Sequence, residues 1–449
     1  ETGGNWMATG SMLPLGSGAT SGDRSLSHGV AIHTDQSISA KSFFGNYAFM
    51  EFRSSFSGHN LSGAPPSLEL DLRSRYEPIV VQNDTPGEWQ GRDFNQSGTI
   101  PTWQFANTSG IEKRLSRIPT GGIVSSTTAP QTFGATVLYA CAGDRIHLIA
   151  TELRPFPGRL SQVTEFPHLL GSLKLSHDAE VLIGAEPAGA MVSAEYTLIR
   201  QSASPTTLQG PYDLGFLSHE FPIGVVGSKA MQVGRGGLSF ATPSSFTHDL
   251  GLTLLQPNGT TQQSMLVGQG TFSQGTGGQL ELQIPQFPTG APSRSFWGKI
   301  TPSGDFGVFF DFTQGSTEAG RINLIRPSAT SEPFARSYML QGSGQTFLGG
   351  TAQPAPEILT SSFINFAPTL GMVNYLGETR IRGNETPEIM RLSQFQAATT
   401  TTLGNGIGTL SLPGTGTVLD FFVTSHGRVM ARPSALFPHK PSLWVGLAK

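Results

Sequence analysis

The chain has 449 residues, of which 13% are charged, and 56 glycines and 31 prolines interrupt its short apolar runs. Because each Gly costs a helix interior about 1 kcal/mol and each Pro about 3 kcal/mol, this composition excludes long helices. A formal net charge of -3 gives no positive field for phosphate groups, and no apolar run reaches the roughly 18 residues of a transmembrane helix, so we expect no sequence-specific nucleic acid and no membrane insertion.

The low content of charged residues also favours contacts with other macromolecules. A surface rich in Ser, Thr and Gly loses little solvation when it meets another surface. We therefore expect contacts with copies of the chain or sister subunits, and with a host receptor or glycan.

The first segments in chain order are an arm and a strand-rich domain. Residues 1–42 are Gly/Ser-rich and predict an extended arm or loop, and residues 43–205 predict a β-sandwich domain. Strands are predicted at residues 47–56 and 68–73, where Leu alternates with charged residues in the second run.

A hairpin is predicted at residues 136–150, where two apolar strands flank a Gly-Asp turn. Its first strand carries Cys141, which is the single cysteine and is expected to be a small buried hydrophobe. Further strands are predicted at residues 181–183 and 191–200, and residues 201–211 are typical of a linker.

Two further β domains are predicted, at residues 206–330 and 331–449, with one continuous domain as the alternative. A pair of strands separated by a loop recurs at unequal spacing in these domains, which disfavours a regular repeat array. Short helices are predicted near residues 107–115 and 387–396. The fold class expected is all-β, with two or three antiparallel β-sandwich, jelly-roll or barrel domains, long loops and few short helices.

Candidate site residues are few. Trp89 and Trp103 lie among polar residues and are the two candidates for stacking on a glycan. Glu69 and Asp71 lie two residues apart on one strand, about 7 Å between Cα atoms, a separation that suits glycoside acid/base catalysis but also a solvated strand face. The chain lacks the spacings of known metal, nucleophile-elbow and phosphate-loop motifs, so no cofactor, no metal and no enzymatic activity are expected.

The C-terminal segment carries a resemblance to a known family. Residues 418–430 (VLDFFVTSHGRVM) and 435–449 (ALFPHKPSLWVGLAK) form a strand, a Gly turn, a second strand and a Pro-led apolar strand. This pattern resembles the end of the protruding domain of calicivirus coat proteins, over about 35 residues. The resemblance implies an all-β surface domain, and it implies no receptor-binding residue at the matched positions.

These observations favour a structural protein of a virus particle, a capsid or spike subunit made in the host cytoplasm and placed on the virion surface. Such a subunit assembles with its copies and engages a host receptor or glycan. The first alternative is a phage or bacterial tail or surface adhesin, which shares the Gly/Thr/Ser-rich β composition. The second alternative is a secreted glycan-active enzyme that uses Glu69 and Asp71.

Overall fold

The computed structural model describes the chain in separate stretches. They are residues 8–14, 24–30, 45–57, 69–87, 100–104, 108–117, 124–133, 136–142, 145–155, 163–176, 178–185, 192–202, 208–220, 231–255, 261–275, 279–284, 293–330, 338–347, 357–367, 372–382, 388–390, 395–397, 399–412, 417–433 and 442–448. All regular structure in these stretches is β-strand, and every strand pair is antiparallel.

The first two strands form a hairpin of their own. β1 (Ala8–Pro14) pairs with β2 (Arg24–Val30) along its whole length. Both strands fall in the segment that the sequence predicts as an arm or loop, so part of that segment is paired.

A ten-stranded sheet follows. Its strands are β3 (Gly45–Ser57), β4 (Glu69–Gly87), β5 (Ile100–Gln104), β6 (Thr108–Arg117), β7 (Val124–Phe133), β8 (Thr136–Ala142), β9 (Arg145–Pro155), β10 (Val163–Leu175), β11 (Val181–Ala185) and β12 (Val192–Arg200). The order is β3-β12-β11-β10-β9-β8-β5-β4-β6-β7, and β3 also pairs with β4.

The next eight strands close into a barrel in which each strand pairs with its chain neighbour and β20 pairs back with β13. They are β13 (Gly210–Glu220), β14 (Met231–Phe240), β15 (Ser245–Leu255), β16 (Thr261–Gln274), β17 (Leu280–Ile284), β18 (Arg294–Ile300), β19 (Phe306–Asp311) and β20 (Glu318–Ile325). This is an up-and-down topology, without the crossovers of a jelly roll.

The last strands form a second ten-stranded sheet. They are β21 (Tyr338–Phe347), β22 (Glu357–Ala367), β23 (Met372–Arg382), β24 (Glu388–Met390), β25 (Phe395–Ala397), β26 (Thr399–Gly404), β27 (Ile407–Leu412), β28 (Thr417–Val423), β29 (Arg428–Pro433) and β30 (Ser442–Ala448). The order is β24-β23-β22-β21-β30-β29-β28-β27-β26, with β25 on β23.

Two apolar cores follow from the alternation of side chains along the barrel strands. Inward residues such as Leu214, Phe296 and Phe309 fill the barrel, while outward residues such as Val308 and Phe310 join Met50 and Phe422 of the flanking sheets. β19, Phe-Gly-Val-Phe-Phe-Asp, is buried at every position because both of its faces are covered. The barrel therefore shares its outer core with both sheets.

A buried ionic cluster links β6 to the barrel. Lys113 and Asp311 are fully buried, and Lys113 Nζ lies 3.4 Å from Asp311 Oδ1. Arg294 Nε donates to Asp311 Oδ2 at 3.1 Å, and Arg294 Nη1 lies 2.7 Å from Glu318 Oε2. Burial alone raises the pKa of Asp311, but Arg294 and Lys113 outweigh it and hold the pKa below its ordinary value.

A second cluster joins the barrel and both ten-stranded sheets around Arg428, which is fully buried at the start of β29. Its guanidinium pairs with Asp178 and Glu180 from the turn before β11, and with Asp305 from the turn before β19. His426 Nδ1 lies 2.8 Å from Asp305 Oδ2. One arginine thus holds three carboxylates that come from two other parts of the chain.

The structure confirms the all-β antiparallel class and the strands predicted at residues 47–56, 68–73, 136–150, 181–183 and 191–200. The two predicted helices are wrong, because β6 occupies residues 108–117 and pairs with β4 and β7, while β24 and β25 pair with β23. The predicted domain limits stay a prediction. Across the described stretches, no helix has the length and apolar character to cross a membrane.

Candidate binding cleft

A cleft of about 1070 Å³ lies between the outer face of the barrel and the last sheet. The barrel side is formed by β13–β16, and the opposite side by residues 326–329, the β26–β27 turn, β28 and β29.

The barrel side of the cleft has a regular floor, which follows from the strand register. Two rows of paired residues cross the four strands, and both rows point outward because Leu214, Leu250 and Leu266 beside them point inward. The rows are Asp213–Gly237–Asp249–Val267 and Gly215–Arg235–Gly251–Met265. Glycines therefore alternate with charged or large apolar side chains across the floor.

Gly251 makes a depression in this floor. A Cβ placed there would meet Met265 Sδ at 3.5 Å and the Arg235 carbonyl oxygen at 3.7 Å, which is ordinary contact. The lack of a side chain at Gly251 is therefore not required by packing, and it lets a ligand approach the backbone.

Arg432 of β29 forms the far wall. Its Nη1 donates to the carbonyl oxygens of Leu214 and Gly236, the latter at 3.1 Å, so the guanidinium is anchored to the barrel backbone. Asp213 and Asp420 lie 3.6 and 3.8 Å from its other nitrogens, beyond hydrogen-bond distance. Arg432 thus offsets the negative charge of both carboxylates, while its hydrogen bonds go to the barrel backbone.

Burial shifts the pKa values of the charged groups in this wall. It raises the pKa of Asp213 and of Asp420, although the charge of Arg432 opposes the change in both cases. Burial likewise lowers the pKa of Arg432, against the pull of the two carboxylates. The cleft therefore carries charges that have lost part of their hydration and gain from a polar partner.

The other end of the cleft is rigid. The Tyr212 hydroxyl donates to the Gly304 carbonyl oxygen at 2.6 Å and accepts from Arg326 Nη2 at 2.8 Å. The Arg326 guanidinium lies over the Tyr212 ring at 4.5 Å. Burial raises the pKa of Tyr212 to about 12, so the hydroxyl stays protonated.

Large apolar side chains are exposed beside these charges. Met265 is 64% exposed, Val267 72% and Leu403 65%. Met265 lines the cleft, Val267 is two residues further along β16, and Leu403 precedes Asn405 of the cleft wall by two residues. Exposed apolar side chains next to charged groups that are paired with each other are typical of a protein contact surface.

A cavity inside the barrel is much smaller than the cleft. Its volume is about 40 Å³, and it is lined mainly by apolar residues such as Leu214, Phe216 and Leu250, together with Gln232, Arg294 and Glu318. Side chains fill an eight-stranded barrel of this kind. The cleft is thus the larger of the two spaces.

The residues singled out from the sequence lie elsewhere. Trp89 lies outside the described residues, and Trp103 lies in β5, where it pairs with Val81 and Val137. Glu69 and Asp71 lie in β4, paired with Ser57 and Ser55. The glycan site at Trp89 and Trp103 stays a prediction.

Sequence reasoning missed the cleft residues, although the chain carries a signal for them. A charged residue is followed two positions later by glycine in three successive strands, at Asp213 and Gly215, Arg235 and Gly237, and Asp249 and Gly251. The antiparallel register brings the three pairs side by side. Long-range partners such as Arg432 leave no such signal.

No family model matches the chain, and no curated protein matches it. Similar solved structures include transferrin-binding protein B of Haemophilus parasuis as a double mutant, with 6% identity, 89% of this chain and 76% of that chain covered, and a TM-score of 0.23. They also include the protein of the same name from serogroup B Neisseria meningitidis, with 10% identity, 90% and 76% coverage and a TM-score of 0.22. At these scores the likeness transfers no residue role and no activity.

The prediction of a virus capsid or spike subunit is wrong, whereas the virion surface and the host cytoplasm as locations stay predictions. The solved structures named above are bacterial transferrin-binding proteins rather than coat proteins. The barrel is also up-and-down, whereas the jelly roll of capsid proteins needs Greek-key crossovers. The calicivirus resemblance stays untested, although its strands are present as β28, β29 and β30, and association with copies of the chain also stays a prediction.

Proposed function

We propose that the chain is a non-enzymatic surface protein of bacterial or phage type that binds a macromolecular partner through the cleft. The observation that carries this is the cleft itself: about 1070 Å³, with Met265 exposed on one side and anchored arginines on the other. Methionine adapts to differently shaped partners, and Arg and Tyr are enriched in protein contacts.

The geometry favours a macromolecule over a small metabolite. Small-molecule sites are mostly enclosed and apolar, whereas this cleft has carboxylates, arginines and backbone on its floor and walls. Its arginines are held at fixed positions by backbone carbonyl oxygens, Arg432 by that of Gly236 and Arg326 by that of Gln209. Fixed charges of both signs select a complementary partner surface.

The test is binding of the purified full chain to a panel of extracellular proteins, transferrin included, and to a glycan array. We expect saturable binding to at least one protein of the panel. Gly251→Val fills the floor of the cleft and should weaken that binding at least ten-fold.

Gly275→Val is the matched control, because a Cβ there meets nothing closer than 3.8 Å and the position is not part of the cleft. It should bind like the original chain. Equal binding by all three proteins would contradict the cleft as the site, and turnover of a glycan would contradict the non-enzymatic assignment.

A further inference from the structure

Lys113 and Asp311 bring an amine and a carboxylate together where both are shielded from water. Lys113 comes from β6 of the first sheet and Asp311 from β19 of the barrel, so 198 positions of sequence separate two side chains that lie 3.4 Å apart, Nζ to Oδ1. Both side chains have zero exposure. This distance to Oδ1 places the amine beside the carboxyl group whose Cγ it would attack.

We propose that Lys113 and Asp311 condense to an intramolecular amide that ties the first sheet to the barrel covalently. The Nζ–Cγ bond forms and the Cγ–Oδ1 bond breaks. Two of the three ammonium protons leave with Oδ1 as water, and the third stays on the amide nitrogen. The reaction needs no oxidant, reductant or cofactor.

Burial favours the neutral amine of Lys113, whereas Arg294 and Lys113 hold the pKa of Asp311 low, so the carboxyl group has to take up a proton before the amine attacks it. Burial lowers the pKa of Lys113, although Asp311 opposes the change, and a lysine that is less readily protonated is a better nucleophile. Transfer of one proton within the pair gives an amine and a carboxylic acid, which removes two charges from a dry interior.

Arg294 stabilises the oxygen that develops negative charge. Its Nε donates to Asp311 Oδ2 at 3.1 Å, and its Nη2 contacts the same oxygen. Oδ1, the leaving oxygen, accepts from the Thr313 backbone N–H at 2.8 Å and faces Lys113. The two oxygens thus have different partners, and donors preset on Oδ2 lower the barrier to attack on Cγ.

The charge balance of the cluster is kept after the reaction. Before condensation, two cations, Lys113 and Arg294, face two carboxylates, Asp311 and Glu318. After condensation, Arg294 Nη1 still lies 2.7 Å from Glu318 Oε2, and Arg294 Nη2 donates to Ser218 Oγ at 3.1 Å. Condensation therefore leaves no buried charge without its counter-charge. Glu318, whose charge also acts on Lys113, is the carboxylate we assign to proton transfer.

The test is mass spectrometry of the folded full chain, after incubation at neutral pH. We expect a mass lower than the sequence mass by one water. Because cyclisation of Glu1 loses the same mass, the bond is located by trypsin: residues 93–114 should be joined to residues 300–321, with no cleavage after Lys113. An unchanged mass, or cleavage after Lys113 in folded protein, would overturn the proposal.

Lys113→Arg keeps the cation and removes the nucleophile, so residues 300–321 should then appear as a free peptide. Glu318→Gln should slow the appearance of the joined peptide at least ten-fold. A joined peptide that forms at the original rate in Glu318→Gln would overturn the role of Glu318. Circular dichroism confirms that each variant is folded, and the measurement on the original chain stands without either variant.

Discussion

Met265 and Val267 hold apolar side chains in water, although Leu266 between them is buried inside the barrel. Alternation along β16 requires that one face look outward, and stability alone favours polar residues there. The proposed contact with a partner accounts for their apolar character.

Met265→Ser therefore separates binding from stability. Because the side chain is largely exposed, we expect the free energy of unfolding to change by less than about 0.5 kcal/mol. Binding to the panel protein should weaken several-fold, since apolar contact is lost. Urea unfolding and titration of the bound partner check the two effects, and a large loss of stability with unchanged binding would contradict this account of Met265.

His248 is a buried residue whose charge state matters at physiological pH. It is 2% exposed, its Nδ1 lies 3.2 Å from the Leu266 carbonyl oxygen, and burial lowers its pKa from the ordinary 6.5. The unfolded chain therefore takes up a proton at a higher pH than the folded chain.

The sign of the pH effect follows from this. The stability linked to His248 is present above pH 6.5 and is lost as the pH falls below it, towards the lowered pKa of the folded state. The fall in free energy of unfolding between pH 7.5 and 5.5 should be smaller in His248→Gln. Urea titrations at both pH values measure it, and identical falls would show that His248 does not titrate on unfolding.

At the scale of the strand, short-range pattern predicts much of the fold and long-range pairing decides the rest. Alternating or apolar runs were sufficient for β3, β4, β8 and β9. β6 was mistaken for a helix because Ile111 and Leu115 suit either a helix or a strand, and because Lys113 between them is charged. The partner that allows Lys113 to be buried, Asp311, is remote in sequence and invisible to local pattern.

The turns that meet at Arg428 offer a test at this scale. Arg428→Leu leaves Asp178, Glu180 and Asp305 without their shared cation, so we expect a loss of about 3–5 kcal/mol in the free energy of unfolding. Arg326→Leu is the control, since Arg326 is exposed and its partners among the described residues are the Gln209 carbonyl oxygen and the Tyr212 hydroxyl, not a carboxylate. Urea unfolding measures both, and similar losses would contradict the special role of Arg428.

At the scale of the whole molecule, the barrel is joined to both sheets by the shared outer core and by the clusters at Asp311 and Arg428. The pKa of Asp305 is held below the ordinary 3.8, because the charge of Arg428 and the hydrogen bonds to the carboxylate outweigh the effect of burial. The stability that Asp305 contributes is present above that pH and is lost as the pH falls through the lowered value.

Acid should therefore loosen the cluster at Arg428 that joins the barrel to the sheets. We expect the unfolding midpoint in urea to fall below about pH 4, as measured by far-ultraviolet dichroism and by tryptophan fluorescence together. A midpoint that stays level down to pH 2.5 would show that Asp305 does not help to hold the molecule together.

The location of the partner on the surface is decided most directly by hydrogen–deuterium exchange, measured on the free chain and on the chain saturated with the panel protein that binds it. The cleft predicts slower exchange at residues 211–215, 235–237, 249–251, 263–267 and 404–407. Protection confined to other strands, with these five segments unchanged, would contradict it.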